Sequence, residues 1–187
     1  WTTNKTNDLS GNGNHGTLTN MSTTSSPRMG KIGQGLNFNG GGTQKIDLSS
    51  PTALDDIENQ GGGGMTISAW IYPRTLGESS EGTITNKNNI STTVNGAWSW
   101  HLVTGNRLRF EKSYDTTSLA RDSGNNTFLF NKWQHVIMTW DGSATASNVH
   151  IYLNGVETSY ASTINGVGNK LSDAANPMSI NDAATNR

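Results

Sequence analysis

The sequence predicts an all-β domain, a sandwich or a barrel. Three observations carry this. Short runs alternate apolar and polar residues with a period of two, the signature of half-buried strands. Gly and Asn punctuate these runs, and Gly alone accounts for 22 of 187 residues, which suits tight turns rather than helices. The stretch "NKWQHVIMTW" (131–140) carries large side chains on both faces, as a strand inside a layered domain would. No stretch of 12 or more residues has helical periodicity.

The length suits one all-β domain with a sizeable core. Only 32% of the residues are hydrophobic and 14% charged, so the chain is too polar for a membrane bundle and poor in charge for an ordinary globular domain. Net charge is −1, which leaves no overall basic footprint for nucleic acid or anionic lipid. No apolar run approaches the roughly 20 residues that cross a bilayer. Cys is absent, which rules out disulfides and Cys-based zinc sites. Low charge with abundant Asn and Thr leans toward an extracellular, cell-surface or virion setting. Residue 1 is Trp, which reads as an excised or processed piece.

Taken in order, residues 1–18 hold a Gly/Asn loop, "DLSGNGNHGTL". Residues 19–31 are a Ser/Thr stretch ending near Pro27, read as an exposed connection. "GLNFNG" (35–40) and "QKIDLS" (44–49) alternate and read as strands. "SPTALDDIENQ" (50–60) has Pro at its start and acids at its middle, as one short helical turn would. "MTISAWIYP" (65–73) is a strand with Met65, Ile67, Ala69 and Ile71 on one face and Ser68, Trp70 and Tyr72 on the other. "GTITNK" (82–87), "AWSWHLVTG" (97–105) and "RLRFEK" (107–112) follow as strands, the last two joined at "TGN" by a hairpin turn. "KWQHVIMTWDGS" (132–143) pairs with "NVHIYLNGVE" (148–157). On the first of these, Val136 and Met138 read as core, Trp133 as packed under a loop, and His135 and Thr139 as tolerant of water. Residues 158–187 are weakly patterned, and only "PMSIN" (177–181) reads as extended. There are no repeats, so residues 1–187 read as a single domain.

The order of "SGNGNHGTL", "GQGLNFNG", "MTISAWIYP", the Trp100 to Phe110 pattern, "KWQHVIMTWDGS" and "VHIYLNGVE" resembles the laminin-G-like, concanavalin A-like lectin/glucanase superfamily, in its bacterial and phage form. The resemblance spans about residues 7–157. It implies a jelly-roll sandwich of two curved antiparallel sheets. Against the family pattern, the start of the first strand and the last strand are missing. That would leave sheet edges open to a neighbouring domain or subunit by strand addition.

Three kinds of site are expected or weighed. For calcium, "NDLSGNGNHG" offers Asp8, Asn12 and Asn14 around two glycines, and oxygen-rich loops of this kind suit Ca²⁺. Relatives of this type hold Ca²⁺ at the rim, partly through an acid in the missing strand, and the family's "FDG" acid is Asn39 here. The same side chains also suit ordinary Asx turns. For sugar, Trp98, Trp140 and Tyr114 are candidate aromatic platforms, Trp70 and Tyr72 can also line a groove, and Asn86, Lys87 and Arg109 are hydroxyl partners. Against this, Trp rings are commonly packed, and Trp70, Trp100 and Trp133 match family core slots. The histidines, His15, His101, His135 and His150, are scattered. For catalysis, the paired-carboxylate strand of glucanases is absent. Asp55, Asp56 and Glu58 lie beside Pro and a glycine run rather than in a strand, and Glu78 and Glu81 lie in a loop. The expected function is therefore a non-catalytic module binding a glycan, polysaccharide or other surface polymer. The alternative is a structural unit of a filament or capsid, held by strand exchange, with no sugar site. Neither reading involves nucleic acid or a membrane span.

Overall fold

The computed structural model describes residues 4–40, 43–59, 63–77, 80–88 and 96–181. Fifteen strands form there: β1 (Lys5–Thr6), β2 (Gly16–Thr19), β3 (Pro27–Met29), β4 (Gln34–Leu36), β5 (Lys45–Asp47), β6 (Met65–Ile71), β7 (Gly82–Lys87), β8 (Trp98–Val103), β9 (Arg107–Lys112), β10 (Leu119–Ser123), β11 (Gln134–Trp140), β12 (Val149–Leu153), β13 (Val156–Glu157), β14 (Tyr160–Ile164) and β15 (Met178–Ile180). Nine of them make one sheet, in the order β1-β2-β5-β15-β7-β8-β9-β10-β14. A second sheet runs β13-β12-β11-β6, and β3-β4 is a separate hairpin. The strand pairings are antiparallel.

The core lies between the two sheets. Trp98, Trp100, Leu102, Leu108, Phe110 and Leu119 come from the large sheet, and Met65, Val136, Met138, Trp140, Val149 and Ile151 from the small one. β11 shows the expected alternation: Gln134, Val136, Met138 and Trp140 are buried, while His135, Ile137 and Thr139 between them are half-buried. β6 sets Met65, Ile67, Ala69 and Ile71 against the same core. Positive-φ pairs close the two hairpins that the sequence marked. Gly105 and Asn106 lie in the three-residue loop 104–106 between β8 and β9, and Asn154 and Gly155 form the two-residue turn between β12 and β13, where short hairpin loops call for positive φ.

The structure departs from the sequence reading in several places, among them "GLNFNG" (35–40), of which only residues 35 and 36 are in a strand. β10 and β14 lie in stretches without clear alternation. In β10 all five residues, Leu119 to Ser123, are buried, and Arg121, Asp122 and Ser123 among them are polar, so apolar-polar alternation does not mark the strand. The Ser/Thr stretch at 19–31 is not a plain connection, because Pro27–Met29 pairs with Gln34–Leu36. "SPTALDDIENQ" forms two short 3₁₀ turns, Thr52–Leu54 and Ile57–Asn59, rather than one helical turn.

The register of β11 is testable. Met138→Ala removes a fully buried side chain and should cost about 2–5 kcal/mol. Thr139→Ala, on the opposite face, should stay within about 0.5 kcal/mol. Urea denaturation of the two variants checks the difference.

Candidate functional site

Two groups of side chains stand out. The first is a charged network inside the protein. Lys112 lies on the apolar face of β9, in phase with Leu108 and Phe110, and Lys87 sits opposite Trp98 in register. Both lysines are fully buried. Buried ammonium groups must be paired, and acids from two loops supply the partners. Lys87 Nζ binds Asp55 Oδ1, and it lies 2.7 Å from Asp173 Oδ1 and 3.1 Å from the Asp173 carbonyl. Lys112 Nζ donates to the Gly96 carbonyl at 2.8 Å and lies 3.7 Å from Asp173 Oδ2. It also lies 2.9 Å from Glu58 Oε1, in an ion pair without hydrogen-bond direction, since neither Glu58 oxygen has a hydrogen-bond partner among the described residues. Gly96 is at φ +73°, and a Cβ there would meet the Ser172 carbonyl at 1.9 Å, so only glycine brings this carbonyl to Lys112.

Asp56 ties the two loops together. Its Oδ2 accepts from the Ser172 hydroxyl at 2.6 Å, its Oδ1 accepts from the Asp173 N–H at 2.9 Å, and its own N–H donates to Asp173 Oδ1 at 2.8 Å. Burial pulls the Asp56 carboxyl upward. The Ser172 and Asp173 hydrogen bonds and the Lys112 and Lys87 charges outweigh this and hold it below its ordinary 3.8.

Asp56, Glu58 and Asp173 bring one oxygen each within 4.8 Å of one another, a spacing that could hold a metal ion. The donor set answers the question of fit. Ca²⁺ takes six to eight oxygens, while here the ammonium groups of Lys87 and Lys112 stand among the same carboxylates and neutralise them. These residues suit the two lysines better than a divalent ion.

The second group faces outward on the small sheet. Trp70 stacks on His135 across the β6–β11 pair, with centroids 5.1 Å apart. Tyr72 meets Trp133 edge-on at 5.6 Å. Ser68 Oγ lies 2.7 Å from His135 Nε2. Trp70 is 39% exposed and Tyr72 41%. The β3–β4 hairpin borders this face. Gly35 lies against Trp133, where a Cβ would come within 3.9 Å of the ring, and Lys31 Nζ lies 5.6 Å from the centre of the Trp70 ring. Trp133 is thus packed under a loop, as its position in the strand suggested.

The aromatic platforms expected from the sequence lie elsewhere. Trp98 is 2% exposed, Trp140 3% and Tyr114 4%, so none offers an open ring face. β8 is interior to the nine-stranded sheet, and all six of its residues are buried. Alternation cannot reveal a strand covered on both sides. The Trp98 indole N–H donates to Asp173 Oδ2 at 3.1 Å. Trp140 tilts against Phe110 at 5.4 Å and donates to the Ser143 carbonyl. Burial, then the Glu58 and Asp141 charges, push the Tyr114 hydroxyl up to about 12. Lys87 is consumed by the charged network, and Asn86 is buried, accepting from Ser179 Oγ at 2.7 Å. Arg109 is clamped to Asp122 by bonds of 2.6 and 2.8 Å and lies 3.1 Å from Glu111. Of the aromatic residues read as possible groove lining, the structure leaves Trp70 and Tyr72 exposed, and it sets them against Trp133 and His135.

In the Asp8 loop, Oδ1 accepts the Ser10 N–H at 2.8 Å and Oδ2 accepts the Asn14 N–H at 2.9 Å. The Asn12 N–H donates to Ser10 Oγ at 3.3 Å. The Ser10 hydrogen bonds, followed by that of Asn14, hold the Asp8 carboxyl below its ordinary value. Both carboxylate oxygens therefore serve the turn. Glu78 lies outside the described residues.

These two layers of antiparallel strands define a jelly-roll sandwich. A laminin-G-type model of the concanavalin A-like lectin/glucanases superfamily matches residues 40–186, and the chain belongs to that family. Comparison with curated proteins and with solved structures gave no match.

Two outcomes test the network. Asp173→Asn leaves Lys87 and Lys112 without their shared counter-charge, and should cost about 3–5 kcal/mol in urea denaturation. A carboxyl held below its ordinary value stabilises the fold above that pH, and the contribution is lost as pH falls through the folded value. Stability should therefore drop between about pH 5 and pH 2, and Asp56→Asn should flatten that drop.

Proposed function

We propose that the chain is a non-catalytic module that binds a glycan or polysaccharide on the outer face of the small sheet. The observation that carries this reading is the exposed Trp70 and Tyr72, braced by His135 and Trp133. Exposed aromatic clusters on a soluble domain mark contact surfaces. A flat indole offers a face to sugar C–H groups, and Ser68 and His135 offer polar atoms beside it. Lectin membership of the superfamily supports the same ligand class. Among the described residues no helix is long and apolar enough to cross a membrane, and an extracellular, cell-surface or virion setting suits such a module.

A catalytic reading is less well supported. Asp55, Asp56, Glu58 and Asp173 are engaged with lysines or with each other, and Asp122 is held by Arg109 and Arg107. Calcium at the acidic triad would have to displace an ammonium group. A thermal midpoint unchanged by added CaCl₂ or EDTA is expected, whereas a calcium-dependent rise would show the ion bound to the folded state.

Retention on polysaccharide affinity gels tests the platform. Trp70→Ala should weaken retention about tenfold or more, a loss of roughly 1.4 kcal/mol or above. Trp98→Ala would act through unfolding instead, visible as a lowered thermal midpoint. Equal retention of wild type and Trp70→Ala would exclude this face.

A further inference from the structure

The chain as a whole is almost neutral, with 13 Lys and Arg against 14 Asp and Glu, but the aromatic face is not. Three segments build that face: residues 27–37, 65–77 and 130–140. They carry Arg28, Lys31, Arg74 and Lys132, and no Asp or Glu. All four of these cations are exposed.

Their placement follows from the fold. Arg28 and Lys31 lie on the β3–β4 hairpin segment, which rests on Trp133 and carries the Lys31 ammonium over Trp70. Arg74 and Lys132 lie where the chain leaves β6 and enters β11, at the same end of the sheet as Tyr72 and Trp133. The Asn131 N–H donates to the Pro73 carbonyl at 2.8 Å and holds those two ends together. An open hollow of about 610 Å³ runs along the hairpin, lined by Arg28, Met29, Lys31 and Gln34 among others.

Several cations elsewhere in the protein are matched. Lys87, Lys112, Lys170, Arg107 and Arg109 each lie within ion-pair distance of carboxylates. Arg28, Lys31, Arg74 and Lys132 have no carboxylate partner among the described residues. The acids that border the small sheet have partners of their own. Glu157, in the edge strand β13, lies two strands from β11 and level with its Ile137, and binds His150 and Tyr160. Asp141, just past the opposite end of β11, binds Ser143 and Asn148. Like charges gathered without partners raise the local potential and attract the opposite sign.

We infer that the ligand of this face is an anionic polysaccharide, one bearing carboxylate or sulfate groups on its sugars. Trp70 and Tyr72 take the sugar rings, while Lys31, Arg74, Lys132 and Arg28 meet the acidic groups. This rests on the platform reading of the same face and adds the charge of the ligand to it.

The test uses the whole chain on affinity gels holding polygalacturonate, alginate or chondroitin sulfate. Methyl-esterified polygalacturonate, dextran and xylan are the neutral counterparts. Retention by at least one acidic polymer is expected. It should fall steeply as salt rises from about 50 to 500 mM, because screening shortens the reach of exposed charges. It should fall about tenfold or more in Lys31→Gln/Arg74→Gln/Lys132→Gln, whose exposed substitutions should leave the thermal midpoint in place. Retention of neutral and acidic polymers alike, insensitive to salt and to the triple variant but lost in Trp70→Ala, would overturn the anionic assignment and leave the platform intact. Retention by none of the polymers would overturn both.

Discussion

The two sheets close on one apolar layer, and every other feature of the molecule follows from which side of each strand faces it. Val136 and Met138 of β11 meet Trp100, Leu108 and Phe110 of the large sheet. Burial of these side chains supplies the main driving force. It also sets register, because a slip of one residue would turn Val136 and Met138 out to solvent and His135 and Thr139 into the core. The outward aromatic face is the geometric complement of that choice. Trp70 and Tyr72 are outside because Met65, Ile67, Ala69 and Ile71 are inside.

The charged network is a second constraint, placed where the apolar layer meets the loops. Two lysines on strands of the large sheet end among acids from the 55–58 turns and the 173 loop. Replacing such a network with apolar side chains can be energetically neutral, so burial of ions is not itself a gain in stability. Its effect is specificity. Asp56 holds two loops about 117 residues apart in sequence to each other, through two hydrogen bonds with Asp173 and one from Ser172, and a loop in another position would leave an ammonium unpaired. The spacing of its acids resembles that of a metal centre because ammonium and metal ions ask for the same oxygens.

The small sheet and the two central hairpins were legible as strands, since one polar face alternates with one apolar face in β6, β9 and β11. The candidate site was only partly legible. Trp70, Tyr72, Trp133 and His135 could be placed on one face of two strands by parity. That β6 and β11 are neighbours, and that the β3–β4 hairpin brings Lys31 to Trp70, is pairing information that periodicity does not hold. The burial of Trp98 is beyond the reach of parity, which tells which residues share a face, not whether that face is covered. Lys112 is the legible mark of the charged network: a lysine in phase with Leu108 and Phe110 points into a core and calls for buried acids.

The sequence by itself determined the all-β class, the turns at Gly105–Asn106 and Asn154–Gly155, and the inward face of β11. These depend on near neighbours: side-chain alternation and the backbone freedom of Gly and Asn. Only the tertiary structure decided that Asp173 meets Lys87 and Lys112, and that four cations without a carboxylate partner among the described residues border an aromatic face. Such contacts join segments tens of residues or more apart, and their energies depend on which layers cover them, a property of the packed sheets rather than of any local run of residues.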